Sequence, residues 1–449
     1  MSILFAALLL TFIGCSASKN SGNLDVQTGV MTDVQEFQVD GVDVLLRQSN
    51  ASPVVSVVLF IKGGSSVTPI DEPVSTEYFA MNIASGSGPA VADGRRIGKS
   101  WFRRKMVRMG SGIGGGDGRD YSVLSMRCVR ENFDTTWGYF AGIITNPSFD
   151  SVEYANFRKN VLLGQRSRAL NADGYSYAIN DSIFFQNHEY GRHITEADIE
   201  RVTMEGLQKH YRSIMVRSRL LVSVVGNVSR SEVKEKLHEM LAKIPEGSYA
   251  EHRVGPPQKA FSPGAVFPQF GRKLPTDYML AYYLIPSPGD SDYYAYIRLR
   301  WIFGGFVFNH IRVQHNLAYA PNVEDHEGGT SFGTITVQTP YVDSAVKIIY
   351  RDVDFFQDNL LIERAIREGT SGWATRNYIN SETTSSQAVA LGESKIRTGD
   401  RRNAFVSLDK LASVTPQQLQ NAAKRYLRNF NWVIVGDTTN VSRKLLESR

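Results

Sequence analysis

Arg312 and Tyr319 lie seven residues apart and have side chains suited to stabilising negative charge on an oxygen atom. A guanidinium and a phenol both donate hydrogen bonds, and preorganised donors shielded from water stabilise a developing oxyanion by several kcal/mol. The pair follows Gly304 and Gly305, where we predict the start of a helix packed closely against a neighbour. Taken alone, the two residues are better explained structurally, Arg312 as a cation near a helix C-terminus and Tyr319 as part of an amphipathic strand.

The elements around the pair belong to the second copy of an internal repeat. Residues 199–208 resemble residues 411–420, and in each copy a predicted helix with a tyrosine and then an apolar strand follow. Thr203 and Thr415 are predicted helix N-caps, and Pro416 suits the first helical position of the second copy. We therefore predict that the chain is a tandem duplication of one structural unit.

The predicted strands come in groups separated by long amphipathic helices, a pattern that favours an α+β fold over strict βαβ alternation. Each half opens with an apolar strand, at residues 54–61 and at residues 278–284. The predicted organisation is a signal and tether at residues 1–23, an N-terminal α+β domain at 24–245, a linker rich in Pro and Gly at 246–271 and a C-terminal α+β domain at 272–449.

The N-terminal segment has the pattern of a bacterial lipoprotein signal. Residues 3–13 form an apolar run about as long as a signal h-region, and Gly14-Cys15 completes a sequence that resembles a lipobox. Residues 16–23 are small and polar, as expected of a tether, and Ser16 is compatible with sorting to the outer membrane. We predict an exported protein lipidated at Cys15 and held on the periplasmic side of the outer membrane; the alternative is a buried N-terminal helix.

The composition is that of an ordinary globular protein, with 449 residues, 42% of them hydrophobic and 21% charged. The formal net charge of +5 is mildly basic. The densest basic clusters, Arg95-Arg96 and residues 103–105, lack an interleaved aromatic ladder and predict a solvated face, not a nucleic-acid site. Cys128 is the only cysteine besides Cys15, so the mature chain has no internal disulfide available, and its strand pattern predicts a buried position.

Several motifs together resemble the insulinase/pitrilysin-type zinc peptidases, or inverzincins. Residues 304–319, which contain the Gly-Gly and Arg/Tyr pairs, are similar to part of the family's second domain. Asn-Pro-Ser-Phe at 146–149 and His-Glu-Tyr-Gly at 188–191 are similar to motifs of its first domain, and the glycine-rich residues 109–116 take the place of its substrate-pairing edge strand. The resemblance implies two homologous α+β domains facing each other like a clam shell, with the Arg/Tyr pair directed toward a zinc-bound substrate carbonyl.

The zinc half of that family's site is missing from this sequence. Catalytic members carry His-x-x-Glu-His on a helix and a further glutamate downstream. Comparison with this pattern puts Tyr78 and Asn82 at the histidine positions, Met81 at the glutamate position and Asn156 near the position of the downstream glutamate. None of these side chains replaces imidazole or carboxylate as a zinc ligand or general base. We therefore predict no metal on this chain and no peptidase activity of the chain alone.

In family members whose two halves lie on separate polypeptides, one partner carries the zinc motif and the other keeps only the Arg/Tyr pair. We therefore predict a non-zinc subunit of a heterodimeric exported metallopeptidase. Arg312 and Tyr319 would be its catalytic residues, a peptide its substrate, and the zinc would lie on an insulinase-type partner with an intact His-x-x-Glu-His motif. The alternative is a catalytically inactive structural or peptide-binding subunit of the same fold, which the retained pair disfavours. A third possibility, an unrelated periplasmic binding lipoprotein, requires the repeat to be coincidental.

Overall fold

The first half of the chain forms a six-stranded sheet and a separate hairpin. The computed structural model describes residues 33–92, 94–367 and 370–449, and Cys15 and the predicted signal lie outside these ranges. The strands of this half are β1 (Val34–Val39), β2 (Val42–Gln48), β3 (Val54–Lys62), β4 (Val91–Ala92), β5 (Arg95–Arg96), β6 (Gly112–Asp117), β7 (Tyr121–Val129) and β8 (Leu220–Gly226). The sheet order is β1-β2-β8-β3-β7-β6, and only β2 and β8 are parallel; β4 pairs with β5.

Helices cover one face of this sheet, and side-chain caps set several of their starts. Asp150, Asn171, Thr195, Thr203 and Ser229 each accept a hydrogen bond from a backbone N–H in the first turn. The helices are α1 (Thr76–Ser87), α2 (Lys99–Arg108), α3 (Phe133–Thr145), α4 (Ser151–Leu170), α5 (Ala172–Phe184), α6 (Glu196–Arg201), α7 (Met204–Ile214) and α8 (Arg230–Leu241).

The glycine-rich run forms the edge strand β6, which lies against α1. A Cβ atom at Gly115 would lie 2.5 Å from the carbonyl oxygen of Met81, so this close approach requires glycine. The other edge of β6 has no strand partner among the described residues.

The second half forms a five-stranded sheet of order β11-β12-β10-β13-β9. Its strands are β9 (Gly264–Val266), β10 (Tyr278–Leu284), β11 (Asn322–His326), β12 (Phe332–Gln338) and β13 (Asn431–Val435). Strand β9 pairs in parallel with β13 although it lies within the segment 246–271, which the sequence predicts as a linker. That segment is therefore partly a sheet element of the second half.

The helices of the second half are α9 (Tyr293–Phe308), α10 (Val342–Asp358), α11 (Glu363–Arg367), α12 (Thr370–Asn380), α13 (Thr384–Thr398), α14 (Leu408–Ala412), α15 (Pro416–Tyr426) and α16 (Arg443–Leu446). The prediction that Gly304-Gly305 starts a helix is wrong, because both glycines lie in the last turns of α9, which begins at Tyr293. A Cβ at Gly304 would make only an ordinary contact, 3.7 Å from Val323 of β11, and a Cβ at Gly305 would meet no neighbour, so the packing there does not require glycine.

The internal repeat is visible in corresponding elements of the two halves. Thr203 caps α7, and Thr415 caps α15 in a reciprocal capping box with Gln418. The two helices lead to β8 and β13, which are fully buried strands inside their sheets. These elements confirm the predicted α+β fold. No helix in the described ranges combines the length and the apolar character needed to cross a bilayer.

Each half also covers the sheet of the other half with one helix. Helix α13 packs on the first sheet, where Gly392 lies against the ring of Phe60 and Leu391 joins the same buried cluster. Helix α5 packs on the second sheet, where the amide of Asn180 donates to the carbonyl oxygens of Leu280 and Asn431, at 3.4 and 3.1 Å. This exchange joins the two halves into one packed body.

We expect Gly392→Ala to destabilise the protein by about 1–3 kcal/mol, because the added methyl group would overlap the buried Phe60 ring. Gly164→Ala is the matched control, since Gly164 lies in exposed helix α4 with no neighbour near its Cβ, and alanine should stabilise there by about 0.5–1 kcal/mol. Urea unfolding of both variants measures the difference. Equal stability of the two variants would contradict the packing of α13 on the first sheet.

Candidate functional site

Arg312 and Tyr319 lie in contact at the surface of the second half. Arg312 belongs to a π-helical segment, Asn309–Gln314, which continues α9. Its Nη1 donates a hydrogen bond to the backbone oxygen of Tyr319 at 2.6 Å, and its guanidinium carbon lies 4.1 Å from the centre of the Tyr319 ring. The Tyr319 side chain is exposed, with 80% of its surface accessible. The structure thus brings together the two residues that the sequence singled out.

The segment between the pair is a tight loop. Leu317 donates from its backbone N–H to the carbonyl oxygen of Ile311 at 2.9 Å, and Asn316 adopts a left-handed conformation with φ of 49°. Tyr319 lies in this loop, three residues before β11, and not in a strand. The loop reverses the chain and brings Tyr319 back over Arg312.

A hydrogen bond to a buried carboxyl anchors the π-helical segment. The Nδ1 of His310 lies 2.7 Å from a carboxylate oxygen of Asp352 on α10. The Asp352 side chain is only 2% exposed, and burial raises the pKa of this carboxyl while the hydrogen bond from His310 opposes the rise. Ile311, the next residue, is fully buried. The contacts of His310 and Ile311 therefore fix the backbone from which the Arg312 side chain projects.

A surface cavity of about 400 Å³ adjoins the pair and is lined by Arg312, Tyr319 and Gln338 among others. Arg312 uses one N–H in the contact with Tyr319, and a guanidinium has five. The pair can therefore offer further guanidinium donors and one phenol hydroxyl to an anionic oxygen placed in this cavity. Among the described residues, no hydrogen bond or ion pair links Arg312 or the Tyr319 hydroxyl to α1 or α4.

The positions predicted to correspond to the zinc site lie on α1 and α4, which pack together. The rings of Tyr78 and Phe157 lie 5.3 Å apart, and the Asn82 side chain donates to the carbonyl oxygen of Tyr78 at 2.8 Å. Met81 is fully buried, whereas Asn156 is exposed on α4. An aromatic contact, a thioether and two amides fill this region, and they offer no ligand set for zinc.

A buried polar cluster beside α1 was not predicted from the sequence. Glu77 accepts a hydrogen bond from Ser122 at 2.5 Å, and Ser122 also lies 3.0 Å from Asp117 at the end of β6. The imidazole of His210 lies between two carboxylates, 3.3 Å from Glu77 and 2.8 Å from Glu72. The only sequence signal is the alternation of β7, which puts Ser122 on the buried face.

Titration of this cluster is shifted by burial and by its own charges. Burial, together with the nearby Glu77 carboxylate, raises the pKa of Asp117 to about 8. Burial alone would lower the pKa of His210, but the carboxylates of Glu77 and Glu72 outweigh it and raise this pKa. No group of three or more His, Cys, Asp or Glu side chains in the described ranges is arranged to hold a metal ion.

Comparison with known families finds a match over part of the chain. Residues 201–363, which include Arg312 and Tyr319, match the family described as the peptidase M16 inactive domain. The predicted insulinase-type relationship is thereby confirmed, for a member that lacks the zinc motif, and a chain of this inactive kind contributes no catalytic zinc. No curated protein matches the sequence.

Solved structures share the fold of this chain. The peptidase M16 inactive domain from Pseudomonas fluorescens has a TM-score of 0.76 and 17% identity, over 90% of this chain and 98% of that chain. The periplasmic protease PqqL from Escherichia coli has a TM-score of 0.75 and 14% identity, over 90% of this chain and 46% of that chain. A chain of Complex III2 from Candida albicans has a TM-score of 0.71 and 13% identity, over 92% of this chain and 99% of that chain.

We expect Asp117 and His210 to contribute a loss of stability as pH rises from about 4 to about 8, by up to about 1.4 kcal/mol per pH unit for each proton involved. Folded Asp117 keeps its proton over this range whereas unfolded aspartate loses it, and His210 adds a loss of stability in the same direction as pH rises past its unfolded pKa. Asp117→Asn should flatten the slope, while Asp71→Asn, at an exposed position, should leave it unchanged. Urea unfolding across this pH range measures the slopes, and equal slopes in the parent and Asp117→Asn would refute the assignment.

Proposed function

We propose that this chain is the non-zinc subunit of an exported insulinase-type metallopeptidase. It contributes Arg312 and Tyr319 to peptide binding and transition-state stabilisation at a zinc site on a partner subunit. The partner has an intact His-x-x-Glu-His motif. The observation that carries the proposal is the contact between Arg312 and Tyr319 at an open cavity, on a chain that has no zinc ligand at the four predicted positions of α1 and α4.

The chemistry of the pair suits a developing oxyanion. When a substrate carbonyl is attacked, its oxygen gains negative charge, and donors already fixed in place stabilise that charge without reorganising. Arg312 is held against Tyr319, and the hydrogen bond between His310 and Asp352 fixes the backbone that carries it. The interaction strengthens as charge develops and therefore acts on the rate more than on ground-state binding.

Solvent exposure of the pair supports the requirement for a partner. Electrostatic donors are worth far more in a water-excluded site than in bulk water. With Tyr319 80% exposed, this chain by itself does not exclude water from the pair. A partner surface that closes over the cavity would exclude it and would bring the zinc to the same place.

Export and lipid anchoring at Cys15 form part of the proposal. The lipobox-like sequence supports it, and PqqL, which has a similar fold, is described as periplasmic. One acyl chain gives marginal membrane binding, whereas the multiple acylation of bacterial lipoproteins gives a stable anchor.

A second candidate function is a structural or peptide-binding subunit without a catalytic role. The similarity to a chain of Complex III2 favours it, because that chain carries the same fold within a large assembly. The two candidates differ in what they predict for Arg312 and Tyr319, since a purely structural subunit has no use for oxyanion donors.

Mixing the chain with its zinc-bearing partner should create a peptidase activity that neither shows alone. Arg312→Ala and Tyr319→Phe should leave the complex assembled but lower kcat by about 10²–10³-fold, with little change in KM. Tyr319→Phe removes the hydroxyl but keeps both contacts with Arg312, since Arg312 donates to the backbone oxygen of residue 319 and lies over its ring. Steady-state kinetics at equal assembly, with active-site titration, measure the effect.

Arg428→Ala and Tyr341→Phe are matched controls at exposed positions outside the pair, and both should keep the parent kcat. Full activity of both Arg312→Ala and Tyr319→Phe would reduce the chain to a scaffold and favour the second candidate. Stoichiometric zinc in the dialysed chain, or chelator-sensitive cleavage by the chain alone, would overturn the proposal at its first step.

Cys15→Ala should release the protein from the membrane fraction of cells, because no other residue of the signal can be acylated in this way. Fractionation followed by immunoblotting measures the distribution, with Cys128→Ala as the control that should stay with the membrane. Unchanged fractionation of Cys15→Ala would show that the lipobox interpretation is wrong.

A further inference from the structure

Residues 94–110 form the most basic surface of the first half. This stretch contains seven Lys and Arg residues and no Asp or Glu. It comprises strand β5 of the hairpin, with Arg95 and Arg96 exposed, and helix α2. We call the exposed side of these two elements the basic face.

Helix α2 packs with one side only, and this fixes which residues point outward. Phe102 and Met106, four residues apart, are buried, and the ring of Phe102 lies 6.0 Å from that of Tyr139. The opposite side of a helix lies two residues away in either direction, so Arg104 and Arg108 lie on the outer side. Both are exposed.

Only part of the positive charge is neutralised by the protein itself. Lys99 and Arg103 both pair with Glu153 of α4. In the part of the chain that the structure describes, Arg104 and Arg108 have no acidic partner. Arg95 and Arg96 of the hairpin are also exposed and also have no acidic partner among the described residues. These cations are available to an external anion.

Apolar side chains project between these cations. Val107 is 80% exposed and Trp101 is 39% exposed, and both lie on the outer part of α2 beside Arg104 and Arg108. A helix that combines Lys and Arg with exposed Trp and aliphatic tips has the composition of helices that lie in a membrane interface. Tryptophan in particular prefers this environment, because its ring is apolar and its N–H is polar.

We propose that the basic face docks the protein on an anionic lipid surface, with phosphate headgroups bound by the cations and Val107 and Trp101 inserted at the headgroup level. The cations of the basic face are complementary to the negative charge of the headgroups. The exposed apolar surface of Val107 and Trp101 favours a lipid interface over a folded acidic protein. The attraction falls off within a Debye length, about 10 Å at 0.1 M salt, so docking must be salt-sensitive.

The sequence outside the described body is compatible with this placement. From Cys15 to Asp33 the chain has 18 steps, which span at most about 60 Å when fully extended. A lipid anchor at Cys15 would keep the basic face within reach of the membrane and raise its effective concentration there. The docking itself rests on the basic face and does not require the anchor.

The test uses the full chain carrying Cys15→Ala, so that acylation does not contribute. Binding to vesicles of phosphatidylcholine alone is compared with binding to phosphatidylcholine mixed with phosphatidylglycerol, by co-sedimentation at low and high salt. The variant Arg96→Gln/Arg104→Gln/Arg108→Gln removes three cations of the basic face. Lys209→Gln/Lys424→Gln/Arg428→Gln removes the same charge at exposed positions elsewhere and is the matched control.

We expect binding that depends on phosphatidylglycerol and weakens with salt, that falls by roughly 10- to 100-fold in the basic-face variant and that is kept in the control. Brominated lipids should quench tryptophan fluorescence in the parent, and this quenching should fall in Trp101→Phe. Equal binding to both vesicles, or equal loss in both triple variants, would overturn the proposal. Binding of a polyglutamate peptide through these residues, without vesicle binding, would also overturn it and assign the face to an acidic protein.

Discussion

The reciprocal packing of α5 and α13 holds the two halves of this molecule together. Each helix belongs to one half and covers the sheet of the other, so that neither sheet is buried by its own half alone. These contacts include Gly392 against Phe60 and the amide of Asn180 between two carbonyl oxygens. Separating the halves would expose apolar sheet surface to water, which costs free energy. The surface that carries Arg312 is therefore fixed relative to the first sheet.

That fixed body presents a pair of donors which is ordered but open to water. The order comes from the hydrogen bond between His310 and Asp352 and from buried Ile311, which hold the π-helical segment against α10. The openness is evident at Tyr319, whose side chain is mostly exposed. A catalytic donor pair needs a fixed geometry and also surroundings of low dielectric constant. This chain alone provides only the fixed geometry. Under the proposed function, a partner that closes over the cavity would supply the low dielectric.

Local patterns in the sequence predicted much of this structure. Strands β3, β8, β10 and β13 were predicted from apolar runs, β7 from an alternating pattern, and the caps at Thr203 and Thr415 from residue type. Strand β9 was missed because it has only three residues and its pairing with β13 joins segments far apart in sequence. Gly304-Gly305 was misplaced because glycine also occurs inside a helix and does not by itself mark where a helix starts. The cluster of Glu77, Ser122 and His210 was missed because it is assembled only by the tertiary fold.

The positions that the sequence predicts to correspond to zinc ligands are mostly part of the packing of this chain. Met81 is fully buried, and the ring of Tyr78 contacts Phe157 on α4. Replacing these residues with histidine and glutamate would remove apolar contacts from a filled region and would place polar or charged groups there. Asn156, on the exposed side of α4, would still face solvent. Recovery of a metal site would thus require repacking of α1 against α4 as well as new ligands, so the non-zinc state is built into the core of the first half.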